Sequence, residues 1–518
     1  MSKSNISRVD DNPRNKRIQK FIVVLGIFLF SLSLRMWNLN IAGRTWDEQA
    51  YVGAGNEYIE LLKKGDFQNS KWYEFPDHPP VAKYLYGIAS EFDIVSRLEN
   101  GQPIFQYDWT YSRMISVLFS SLTVVLIVLF GWKYFSQTVG ILAGIILSTL
   151  PILLGLSQLI TIESILIFFF TLAIYYLLVT LENPTKKNII ICGIILGLAL
   201  GVKYSNIKLI PIYCIISCVY YLLKRRESFK KLFIINGIIF SIAIVIFILL
   251  WPALLFHASQ TWQNMYSYRF KQNGNSGLEL FWGKYIHVPV QYYLVYFLIT
   301  TPLIYLIFCC LGIINAYKNK NWIIYVLLIW FIFPFFQSFY YMRQNGIRYI
   351  IEIYAPLSLL SAIGFDKFSS KFTSKNIKKL LLFSPFLFYM LIIISSLSPY
   401  YLDYFNIVVG GVAGIHEKKL FSYGWWGEGQ REAGMYIVSN AQPNSTVALV
   451  VQPKYVFPPL DGINFLAYSP SEQYNYIVIN TFYLINNPFD IKSITTNYFP
   501  IYVVNAQGAP LVTVYKHK

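Results

Sequence analysis

Charge is what this sequence has least of. Only 13% of its 518 residues are Asp, Glu, Lys or Arg, where a soluble domain carries roughly 25%, so a single water-soluble core is excluded. Acids are scarcer than bases, 26 against 43, for a net charge of +17. The basic residues sit in short stretches between apolar blocks and not on one continuous surface, which argues against a nucleic-acid face. Cys192, Cys214, Cys218, Cys309 and Cys310 all fall inside apolar blocks, so the polar segments have no disulfide framework. There is no Gly-rich nucleotide loop, no internal repeat and no low-complexity tract. Phosphate-cradling chemistry of the P-loop kind and solenoid folds are thereby removed.

What the chain has in quantity is hydrophobic length, 55% of it apolar, in blocks of about 15 to 24 residues, enough for a helix to cross roughly 30 Å of hydrocarbon. About eleven spans are predicted, over 19–39, 112–132, 139–157, 162–181, 188–202, 207–223, 232–252, 290–313, 322–340, 349–364 and 380–398. The first apolar block follows Arg8, Arg14, Lys16, Arg17 and Lys20 and lacks a small-residue cleavage site after it, so it reads as a retained span. Lys186 and Lys187, Lys224 to Arg226 with Lys230 and Lys231, Lys318 and Lys320, and Lys367 to Lys379 occupy alternate connections. That alternation places them and the N-terminus in the cytoplasm.

The fold class that follows is an all-α polytopic membrane domain over 1–398 with a small α/β extracytoplasmic domain over 399–518. External loops run over about 40–111 and 253–289. In the tail, Gly424-Trp425-Trp426-Gly427-Glu428-Gly429 leads into a helix. Thr446–Val451, Tyr476–Asn480 and Tyr498–Tyr515 read as strands, the last closed as a hairpin at Gln507-Gly508.

Candidate chemistry gathers on the external side. Asp47 and Glu48 follow the first span in Arg44-Thr45-Trp46-Asp47-Glu48. Side chains of adjacent helical residues point about 100° apart, so only one of the two can act as a base on a given substrate atom. The structural alternative is that Thr45 caps a helix whose apolar face is Tyr51, Ala54, Tyr58 and Leu61. Asp77, His78 and Lys83 lie in Glu74-Phe75-Pro76-Asp77-His78-Pro79-Pro80, where the prolines start an interfacial helix and the alternative is a turn with a solvated lysine. Glu163 stands at the outer end of the fourth span, as a helix cap or facing a polar cavity. Lys203, Arg343 and Arg348 are cations on the side where the orientation rule disfavours them. An anionic phosphate at headgroup level would explain them, and so would pairing with lipid headgroups, Glu163 or Glu352.

At these residues the sequence resembles the GT-C glycosyltransferases, in particular the protein O-mannosyltransferase and aminoarabinose transferase superfamily. The resemblance rests on Asp47-Glu48 after the first span, His78-Pro79-Pro80 with Lys83, Glu163, Gly201-Val202-Lys203-Tyr204-Ser205 and Arg348-Tyr349, in that order over about 15–400. It implies inverting transfer of a sugar, mannose foremost, from a polyprenyl- or dolichyl-phosphate donor to an acceptor hydroxyl of a protein or glycolipid, at the outer face of a prokaryotic plasma membrane. Asp47 would be the base, with Glu163 orienting it and Glu48 bracing the loop. Lys83, Lys203, Arg348 and Arg343 would hold the donor phosphate. No nucleic acid and no certain cofactor is implied. A divalent metal on His257, His78 and Glu74 is left open, because some relatives hold one near the first loop. The competing class is a lipid-linked sugar flippase, which would distribute charge through the span centres.

Overall fold

The computed structural model describes residues 13–93, 97–99, 102–104, 109–224, 228–268, 278–319, 321–339, 345–450, 456–457, 462–486 and 491–518. Among them, eight helices are long and apolar enough to cross a membrane: Arg17–Met36, Thr110–Tyr134, Ile162–Glu182, Tyr204–Lys224, Phe229–Leu250, Trp322–Phe339, Arg348–Ser369 and Asn376–Leu397. Two bent pairs raise the number to ten, Gln137–Ser148 with Pro151–Ser157 at 62° and Tyr292–Thr300 with Leu303–Asn315 at 113°. Each bend has a proline at the break, Pro151 and Pro302, which removes a backbone donor and drives the preceding residue out of the helical region. The eleventh expected span, 188–202, is the helix Lys186–Leu200 of only 15 residues, short of the ~20 that cross a bilayer. The chain is a multi-pass membrane protein, with eight to ten spans by length and composition among the described residues and one shorter helix packed among them.

The first loop forms a platform on one rim. Its helix Glu48–Lys64 buries Tyr51, Ala54, Tyr58 and Leu61 as expected and ends on the left-handed Gly65. It crosses the helix Val81–Asp93 at Gly55 and Gly87, where a methyl on either would meet the other helix's backbone. The expected Thr45 cap is absent. Asp47 occupies the cap position without capping, and the Thr45 backbone N–H instead donates to Glu48 Oε2 at 2.8 Å.

The tail carries a five-stranded sheet in the spatial order Ile463–Ala467, Ser445–Val450, Tyr476–Asn480, Ala509–His517, Tyr498–Ala506. The first three strands are mutually parallel and the last two form the expected hairpin, turning on Gln507 and Gly508 with positive φ. The strand Ile463–Ala467 was not foreseen. It is an edge strand with three of its five residues exposed and none buried, so it lacks the buried face that marks a core strand. The tail packs onto the preceding part of the chain directly: Tyr483 lies on Trp46, and Trp426, Ala433, Ile437, Val447 and Val512 share one apolar core with Ala42, Tyr51, Ile160 and Val124. A hairpin in the second loop, Leu278–Phe281 with Lys284–His287, reaches the tail through Phe281 on Phe421 and the Gly283 N–H on the Leu420 carbonyl.

Candidate active site

Four element ends converge on that rim. Asp47 precedes the helix Glu48–Lys64, Glu163 lies in the first turn of Ile162–Glu182, Lys203 follows Lys186–Leu200, and Arg348 opens Arg348–Ser369. Charged residues survive here because a span centre costs each about 2.5–3.5 kcal/mol, a penalty that falls towards the ends. Arg348 Nη1 donates to Asp47 Oδ2 at 3.2 Å, and its Nε lies 3.5 Å from Glu163 Oε1. Lys203 Nζ donates to the same Glu163 oxygen at 2.9 Å. The result is an alternating row of carboxylate, guanidinium, carboxylate and ammonium. Lys203 and Arg348 are therefore paired inside the protein. Glu352 pairs with Lys208, a further cation absent from the expected set.

The row is incompletely satisfied. Glu163 Oε2 and Arg348 Nε are buried without a hydrogen bond, and Asp47 Oδ1 has none among the described residues. Exposure separates the acids: 41% of the Asp47 side chain is accessible against 3% for Glu163. Only Asp47 can meet a molecule arriving from outside without prior opening. Around the cations stand Tyr349, 4.9 Å from Lys203 Nζ, and Trp426, whose ring lies 4.4 Å from the Arg348 guanidinium carbon. Trp426 also donates its indole N–H to Asp47 Oδ2 at 3.0 Å. In the sequence, Gly424–Gly429 reads as the lead into a helix and, by resemblance, as a membrane-to-tail junction, and neither reading makes Trp426 a site residue.

Residues 25–265, somewhat under half of the chain, match the family model described as dolichyl-phosphate-mannose-protein mannosyltransferase. No curated protein matches the sequence. Among solved structures, ArnT from Cupriavidus metallidurans bound to undecaprenyl phosphate superposes with a TM-score of 0.52 at 13% identity, over 97% of this chain and 98% of that one. The oligosaccharyltransferase AglB from Archaeoglobus fulgidus, in complex with an inhibitory peptide and a dolichol-phosphate, gives 0.52 at 12% identity over 97% and 74%. The chain has the GT-C fold of these membrane glycosyltransferases.

Within this GT-C fold the other expected site residues take different places. Glu48 is fully buried and receives Arg113 on both oxygens, at 2.9 and 2.8 Å, together with the backbone N–H groups of Thr45 and Ile160. That geometry braces the loop against two spans and leaves Glu48 no open side towards Asp47's partners. Lys83 departs from the expected phosphate ligand: its ammonium donates to the Phe75 carbonyl, Asp77 Oδ1 and the His78 carbonyl at 2.7, 2.7 and 2.9 Å. An ammonium has three donors, so none is left for a phosphate. Burial lowers the Lys83 affinity for its proton while Asp77 opposes that. Asp77 and Lys83 thus fix the turn that starts Val81–Asp93, and the His78 ring lies between Tyr51 and Tyr204.

The metal expectation is not met. His257 Nε2 bonds to the Gln68 carbonyl, Glu74 accepts from Ser70, and His78 sits among rings. Among the described residues no three His, Cys, Asp or Glu side chains gather as ligands, so the residues present do not fit a resident divalent ion. Arg343 lies outside the described residues.

Proposed function

We propose that this chain is a glycosyltransferase that moves mannose from a dolichyl- or polyprenyl-phosphate-linked donor to a protein Ser/Thr hydroxyl, with inversion, on the outer face of a prokaryotic plasma membrane. The observation that carries it is the exposed Asp47 carboxylate bonded to Arg348, itself beside Glu163 and Lys203 at one rim. The acceptor hydroxyl attacks the anomeric carbon as Asp47 takes its proton. The bond from that carbon to the phosphate oxygen breaks, and the lipid phosphate leaves with the electron pair. Arg348 and Lys203 are the cations available to stabilise the charge that develops there. Glu163 holds both cations in register, its Oε1 facing Lys203 Nζ and Arg348 Nε. The mannosyl donor is supported by the family description over residues 25–265. The lipid phosphate is supported by the undecaprenyl phosphate and dolichol-phosphate of the two fold relatives, and the outer face by the basic connections at the opposite rim.

The test supplies labelled mannosyl-phosphoryl-polyprenol and a hydroxyl-bearing peptide to membranes containing the protein. Labelled peptide with inverted anomeric configuration is expected. Label that enters lipid or polymer while the peptide stays unlabelled would overturn the protein acceptor.

A further inference from the structure

The turn that delivers Trp426 is built with more constraint than packing requires. Gly424, Gly427 and Gly429 all have positive φ, +64°, +81° and +88°, and a methyl at Gly427 would fall 2.6 Å from Trp46 Nε1. Two buried acids tie it down: Asp403 Oδ1 accepts the Gly424 N–H at 2.7 Å and Glu428 Oε2 the Trp426 N–H at 3.1 Å. From the membrane side, the Trp46 N–H donates to the Trp426 carbonyl at 3.4 Å. The tail packs Tyr483 on the Trp46 ring with centroids 5.0 Å apart. The turn is clamped between the first loop and the tail, and what it holds in place is one indole.

That indole meets Asp47 selectively. Its N–H and Arg348 Nη1 both donate to Oδ2, at 3.0 and 3.2 Å, while Oδ1 receives no donor among the described residues. Two donors on one oxygen stop the carboxylate from rotating and leave the other oxygen as its proton acceptor. The same ring covers the guanidinium of Arg348 at 4.4 Å, so it excludes water from one face of the cation. Its contact with Asp47 joins residues 379 positions apart, the tail and the loop after the first span.

We infer that Trp426 is a positioning residue contributed by the tail, which orients Asp47 through its indole N–H and shields Arg348 with its face. The inference rests on Asp47 acting as the base, and its test separates the two. In full-length protein in nanodiscs, with mannosyl-phosphoryl-polyprenol as donor and a Ser/Thr peptide as acceptor, Trp426→Phe keeps a ring over Arg348 and removes the N–H. A charge-assisted hydrogen bond of this kind corresponds to a fall in kcat of about tenfold to a hundredfold, with the donor KM within about twofold of wild type. Trp426→Ala, which also uncovers Arg348, should lower kcat as far and raise the donor KM in addition. Incorporating the benzothiophene analogue at 426, where sulfur replaces the N–H at nearly constant volume, makes the same comparison should the phenylalanine variant fail to fold. A merely structural Trp426 predicts the reverse: the analogue near wild type in kcat, and losses that track the amount of folded protein. If the analogue keeps full kcat while Asp47→Asn is inactive, the inference fails and the base assignment stands. If Asp47→Asn itself turns over normally, the base assignment fails first.

Discussion

Asp47 and Glu48 are neighbours in sequence, and each meets an arginine. The Glu48–Arg113 pair is bidentate, buried on both sides and completed by two backbone N–H groups. The Asp47–Arg348 pair uses a single oxygen, leaves two-fifths of the carboxylate side chain exposed and leaves Arg348 Nε without a hydrogen bond. A closed pair holds parts together, because every donor and acceptor is already engaged. An open pair costs stability and keeps atoms available for a ligand. Lys83 belongs with the closed set and Lys203 with the open one, although both are lysines at the same rim.

The comparison breaks if the closed pair proves dispensable. Glu48→Ala leaves Arg113 buried without its carboxylate, and the expected loss of stability is about 3–5 kcal/mol, read as thermal unfolding in detergent. Activity per folded molecule should stay close to wild type, so a fully stable variant without turnover would move Glu48 into the reacting set. The open pair is tested by Arg348→Ala. It should raise the donor KM by about tenfold to a hundredfold and change the peptide KM much less; an unchanged donor KM would remove the phosphate role.

A third kind of buried acid sharpens the contrast. Among the described residues Glu279 meets no cation and accepts from the hydroxyls of Tyr292 and Tyr296 at 2.9 to 3.0 Å, and burial pushes it up from 4.5 to about 7. The folded protein therefore holds this proton more tightly than the unfolded chain. Its contribution to stability is present in full below about pH 4.5 and is lost as the pH rises through about 7. The difference in melting temperature between wild type and Glu279→Gln should change across that window and be flat above it. A difference independent of pH would contradict the assignment.

The spans were legible because hydropathy alone reports them; only the bends at Pro151 and Pro302 and the short helix Lys186–Leu200 changed the count. Asp47, Glu163, Lys203 and Arg348 were legible as charges where the membrane penalises them. Lys83 was misjudged because a lysine facing three oxygens of its own turn reads, in sequence, like one facing a phosphate. Thr45 lost its expected cap role because the helix starts at Glu48 and puts Asp47 at the cap position, where its carboxylate turns instead towards Arg348 and Trp426. Trp426 was illegible as a site residue, since nothing in Gly424–Gly429 states which loop, hundreds of residues earlier, it will touch. The convergence of His257, Glu74 and His78 failed because each lies beside a different partner.

The most direct measurement is single-turnover transfer by Asp47→Asn with donor binding followed in the same preparation. An open carboxylate that acts as the base predicts donor affinity near wild type and transfer slower by about a hundredfold to ten-thousandfold. Transfer at the wild-type rate, with the donor bound, would contradict the account.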